Sequence, residues 1–104
     1  MNQPTNPHHL EQRINAILRD RQKLKSTYLP RVIAKAEQVY PPNIQRVLNA
    51  HRISLDEARL YAAGMTPTTI GALRGRSRQL VDQAVVELTR RYLLSYPELL
   101  EGEP

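Results

Sequence analysis

The three histidines are poorly placed for chemistry. His8 and His9 are adjacent, so on a regular helix they cannot both face one metal, and His51 has no second or third ligand spaced near it. The chain has no cysteine, which removes thiolate nucleophiles, disulfides and zinc–thiolate sites. No hydroxyl nucleophile is patterned with a base, no carboxylates pair for acid–base work, and no glycine-rich loop would cradle a phosphate. The expectation is a protein with no catalytic residue, no metal and no cofactor, and hence not an enzyme. What remains is positive charge: 15 Lys and Arg against 10 Asp and Glu, a net charge of +5 that favours a polyanionic partner. Residues 1–52 hold nine bases and three acids, residues 53–97 six and four, and the stretch after Pro97 three acids and no base. Two groups stand out, Arg13, Arg19, Arg21, Lys23 and Lys25 near the start and the alternating row Arg74, Arg76, Arg78. The first reads either as a phosphate-binding stripe or as a solvated helix face.

The elements that would carry these groups read as helices throughout. Leu10, Ile14, Ile17, Leu24 and Tyr28 form a heptad-like seam if Arg21 is its polar member, predicting an amphipathic helix of about 20 residues. Pro30 starts a second helix expected to bury Ile33, Ala36 and Tyr40. Pro41 and Pro42 stop it, and Asn43 is expected to cap a short helix carrying Ile44, Val47 and Leu48. Ser54 and Glu57 have the spacing of a capping box, and Gly64 stands at that helix's exit. Thr66 followed by Pro67 predicts a cap and first-turn proline for a helix to Arg74, broken by Gly75. Ser77 caps a long last helix with the stripe Val81, Ala84, Val85, Leu88 and Tyr92, limited by Pro97. No stretch alternates with period two. The fold expected is all-α, about six helices: a loose arm over residues 1–7, one domain over 8–97 and an acidic tail over 98–104. Within the domain, residues 8–52 complete the core or oligomerise and residues 54–95 form the functional unit. No run is long and apolar enough for a membrane span, and the start lacks the basic and apolar regions of a signal peptide, so a cytoplasmic location is expected.

The run Gly64-Met65-Thr66-Pro67-Thr68-Thr69-Ile70-Gly71, followed by Gly75, Ser77 and Val81, resembles the helix-turn-helix of bacterial transcription regulators. Its spacing is similar to that of quorum-sensing-regulator output domains and sigma-factor region four, over residues 54–92. In that pattern Ile70 and Gly71 are the apolar and small residues, Gly75 makes the turn, Ser77 starts the recognition helix and Val81 docks it. A small residue permits close helix approach, and a turn glycine accepts a backbone angle that a Cβ resists. The resemblance implies that the free side of the last helix enters a major groove, with Arg78, Gln79, Asp82 and Gln83 at base edges. Thr66, Thr68, Arg74, Arg76 and Ser77 are the expected phosphate contacts. Arg74 and Arg76 stand where the family has apolar residues, and Leu73 and Leu80 are expected to close the inter-helix core instead.

Two functions from different classes follow. The first is a small DNA-binding regulator, a repressor or autoregulator of phage, plasmid or mobile-element type, acting on double-stranded DNA as a homodimer through the seam Leu10, Ile14, Ile17, Leu24 and Tyr28, with Val86, Leu93 and Leu94 of the last helix as the rival surface. The second is a helical adaptor or chaperone-like protein that grips a partner helix through the same seam. RNA binding is a third and weaker reading, since five tyrosines are the only aromatics available to stack on bases.

Overall fold

The computed structural model describes residues 7–40, 42–51 and 54–101, without the side chains of residues 7, 8, 47 and 51. The arm over residues 1–6, the end of the acidic tail over 102–104, and the side chains of His8, Val47 and His51 lie outside the described residues. Among the described residues there is no strand, and the chain is all-α. The helices are α1 (Pro7–Arg19), α2 (Arg21–Lys23), α3 (Leu29–Gln38), α4 (Pro42–His51), α5 (Leu55–Ala62), α6 (Pro67–Arg74), α7 (Arg78–Ser95) and α8 (Glu98–Glu101), with a π-helical turn at Leu24–Tyr28. None is long and apolar enough to cross a membrane.

The expected 20-residue first helix is instead broken at Asp20. Its backbone leaves the helical region (φ −94°, ψ 90°), and its carboxylate caps α2 by accepting from the Lys23 N–H at 3.1 Å. From Arg21 the chain is helical again up to Gln38, because the π turn carries it past Pro30. The Leu29 N–H bonds back five residues to the Leu24 carbonyl. This widening accommodates a proline, whose ring would clash with the carbonyl four residues earlier in a regular α-helix.

Helix α7 is the axis of the core. Its whole stripe Val81, Ala84, Val85, Leu88 and Tyr92 is buried, together with Thr89 and Leu93. Around it pack α1, α3, α4 and α6, contributing Ile14, Ile17, Leu18, Leu29, Val32, Ala36, Ile44, Leu48 and Ile70 to one cluster that also takes Leu24 of the π turn. The buried Tyr92 hydroxyl donates to the Val39 carbonyl at 2.9 Å, and its ring stacks on Tyr96.

This packing corrects three expectations. Ile14, Ile17 and Leu24 belong to the chain's own core, with Leu10 and Tyr28 against it; Ile14 and Leu24 are 0% exposed and offer nothing to a second copy. On α3 the buried residues are Leu29, Val32 and Ala36: Ala36 is buried as expected, whereas Ile33 is half-buried and Tyr40 exposed. Asn43 lies inside α4, which begins at Pro42, and is no cap.

Two boundary expectations also change. Pro7 belongs to α1 rather than to the arm. The acidic stretch after Pro97 is, through Glu101, part of the fold: Leu100 is buried, Glu101 pairs with Arg13, Glu98 with Lys35, and Arg31 donates to the Leu99 carbonyl.

Candidate nucleic-acid interface

The junction between α6 and α7 is built by small residues and caps. Thr66 caps α6 by accepting from the Thr69 N–H (3.2 Å), and Pro67 occupies its first turn. Gly75 ends α6 with φ +68°, the left-handed region that glycine enters without a Cβ clash. The Arg76 N–H then donates to the Gly71 carbonyl at 2.8 Å, folding the chain back onto α6. A Cβ on Gly71 would stand 2.4 Å from the Arg76 carbonyl oxygen, so only glycine fits this approach. Ser77 caps α7 by accepting from the Leu80 N–H (3.2 Å).

Beneath this junction lies Glu57, whose side chain is only 2% exposed. It completes the capping box of α5: Ser54 Oγ accepts from the Glu57 N–H, and Glu57 Oε1 accepts from the Ser54 N–H. The same carboxylate receives Arg76 Nη1 on Oε1 at 3.1 Å and Arg74 Nε on Oε2 at 2.8 Å. A buried carboxylate without such partners would be strongly unfavourable. Arg74 and Arg76 are therefore clamps on the turn, sharing one carboxylate between two cations, so that one of their two positive charges is matched inside the protein. Leu73 and Leu80 are 64% and 49% exposed, so they do not close the inter-helix core as expected. The ion-paired Glu57 and the bare contact at Gly71 occupy that place.

The residues expected at base edges divide. Arg78, Gln79 and Gln83 are exposed on the N-terminal half of α7. Asp82 is engaged: Arg21 Nε lies 3.1 and 3.2 Å from its two carboxylate oxygens, Arg21 Nη2 lies 2.9 Å from Oδ2, and the Tyr61 hydroxyl donates to Oδ1 at 3.2 Å. Arg21 Nη1 also donates to the Leu18 carbonyl. Burial, and then the negative charge of Asp82, push the Tyr61 hydroxyl up to about 12. The Asp82 hydrogen bond raises the Arg21 pKa above its ordinary value. This network holds the α1–α2 corner against α7, and the Arg90 bond to Asn15 Oδ1 (2.8 Å) adds a second tie about two turns further along α7.

The result is a cleft of about 690 Å³ in which Arg78, Gln79, Asp82 and Gln83 of α7 meet Arg19 and Arg21 on one side and Pro67 on another. Of the expected phosphate contacts, Thr66 and Thr68 are exposed beside Pro67, and Ser77 uses an acceptor site in its cap. Arg19 and Arg21 were visible in the sequence only as part of a basic stripe. Their place beside α7 depends on the break at Asp20, which a helix-period reading passes over. Among the described residues no group of three or more ligating side chains could hold a metal. No family model, curated protein or solved structure matches the chain.

Proposed function

We propose that this chain is a small, non-enzymatic, cytoplasmic transcription regulator that binds double-stranded DNA through α6 and α7. The reading treats α5 to α7 as a helix-turn-helix of the bacterial-regulator type. The observation that carries it is the N-terminal half of α7, where Arg78, Gln79 and Gln83 stand exposed on a helix whose opposite face is locked into the core. Among the described residues Arg78 has no carboxylate partner, so its donor fork is open to the two acceptors of a guanine edge. Gln79 and Gln83, one turn apart, have the paired donor and acceptor that suit adenine. Asp82 leaves the base-reading set because Arg21 and Tyr61 occupy it.

The homodimer expected through residues 10–28 loses its surface, since the seam is internal, and a second copy would need another face. The adaptor reading loses the same surface.

The test is selection of bound duplexes from a random pool at ~150 mM salt, followed by titration of Arg78→Ala on the selected site. The variant is expected to lose about 1–3 kcal/mol on that site and to relax the preference at one base pair. Wild-type protein that binds no duplex at low salt would overturn the proposal.

A further inference from the structure

We propose that the α1–α2 corner is a second arm of the nucleic-acid site, in which Arg19 holds a backbone phosphate of the strand whose bases face Arg78 and Gln79. This rests on the DNA-binding reading above, and it assigns a role to residues outside the helix-turn-helix.

Arg19 is the last residue of α1, is exposed, and lines the same cleft as Arg78, Gln79 and Gln83. Its one hydrogen bond is a long one, from Nε to the Asn15 carbonyl at 3.4 Å, and no carboxylate pairs with it among the described residues. Arg21, two residues on, lines the same cleft, but its charge is matched by Asp82 through a two-oxygen contact. The two arginines therefore do different things. Arg21 is a positioning residue that ties the corner to α7, and Arg19 is the open cation that this strut presents beside the reading helix.

Several other cations are paired within the chain: Arg13 with Glu101, Lys35 with Glu98, Arg59 with Glu37 and Asp56, and Arg91 with Glu87, while Arg74 and Arg76 share Glu57. Arg19 and Arg78, neither with a carboxylate partner among the described residues, thus share one cleft with the exposed Gln79 and Gln83. That is the pairing a DNA site needs, with a phosphate contact setting position and neighbouring side chains reading bases.

The experiment measures affinity for the selected duplex and for a scrambled duplex across a salt series, with the full chain. Arg46 on α4 is also exposed, unpaired among the described residues and outside the cleft, so Arg46→Ala removes the same formal charge from elsewhere. Arg19→Ala is expected to weaken both duplexes alike and to flatten the log–log salt slope by about 0.9, one phosphate. Arg46→Ala is expected to leave the slope unchanged. Asp82→Asn frees the Arg21 charge in the cleft and is expected to steepen the slope and tighten the scrambled duplex. If the wild type binds and Arg19→Ala behaves as Arg46→Ala does, the second arm is refuted while the helix-turn-helix reading stands. An Asp82→Asn slope equal to that of the wild type would refute the masking of Arg21. If the wild type binds no duplex, the underlying reading fails and this arm falls with it.

Discussion

Glu57→Gln tests the physical core of the turn. The substitution keeps the shape of the side chain and one acceptor oxygen but turns the other position into an amide that cannot accept from an arginine. In the native protein Oε2 takes Arg74 Nε at 2.8 Å, while Oε1 takes Arg76 Nη1 at 3.1 Å and the Ser54 N–H at 3.3 Å. A hydrogen bond to a charged group is worth about 1.5–3 kcal/mol. Arg74 and Arg76 are 44% and 24% exposed, so they recover some hydration, which places the expected loss near 2 kcal/mol. Glu57→Ala also empties the site and removes the whole partner of two cations, for which about 3 kcal/mol is expected. Urea denaturation followed by far-UV circular dichroism reads both, and 2 kcal/mol moves the midpoint by roughly 1–2 M. Arg74→Ala and Arg76→Ala, each combined with Glu57→Gln, complete double-mutant cycles with expected coupling of about 1 kcal/mol or more. A Glu57→Gln midpoint within about 0.3 M of wild type, or coupling near zero, would refute the clamp. In that case Arg74 and Arg76 return to the surface as candidate phosphate contacts.

Gly71→Ala is expected to destabilise by about 1–3 kcal/mol despite alanine's better helix propensity, because its Cβ meets the Arg76 carbonyl; a thermal melt at or above wild type would contradict the close approach. Ile14→Asp is expected to abolish cooperative unfolding by placing an unpartnered charge at a fully buried site; a folded monomer arising from a wild-type dimer, by light scattering, would restore the seam as an interface. Burial holds the Tyr61 and Tyr92 hydroxyls near 12 rather than the ordinary 10, so the folded chain keeps protons that the unfolded chain releases. Their contribution to stability is complete below about pH 10 and is lost as pH rises from there through about 12; tyrosinate absorbance should show two late-titrating tyrosines, and an alkaline titration complete by pH 11 would count against this.

Much of the fold was legible because helix ends and apolar stripes are local signals. The Ser54–Glu57 box, the Thr66–Pro67 start, the Gly75 exit, the Ser77 cap and the α7 stripe all stand where the residues predicted them. The caps and exits depend on contacts within four residues, which the chain makes with itself whatever surrounds it, and the stripe is a local apolar period that marks the face to be buried. The break at Asp20 was missed because a three-and-four spacing continues through it, and only the cap to Lys23 distinguishes two helices from one.

Which charges face outward was decided by tertiary structure alone. In the sequence Arg74, Arg76 and Arg78 form one uniform row, and Asp82 lies beside Arg78 and Gln79 as another polar group on a free face. In the folded chain, Glu57, 17 and 19 residues earlier, pairs with the first two arginines and leaves Arg78 open. Arg21, 61 residues from Asp82, engages that carboxylate in an ion pair and sets Arg19 in the same cleft. An arginine is a phosphate contact or a structural clamp according to the carboxylate that meets it. That meeting depends on how helices pack, because Coulombic and hydrogen-bonding partners are chosen by distance in space rather than by separation along the chain.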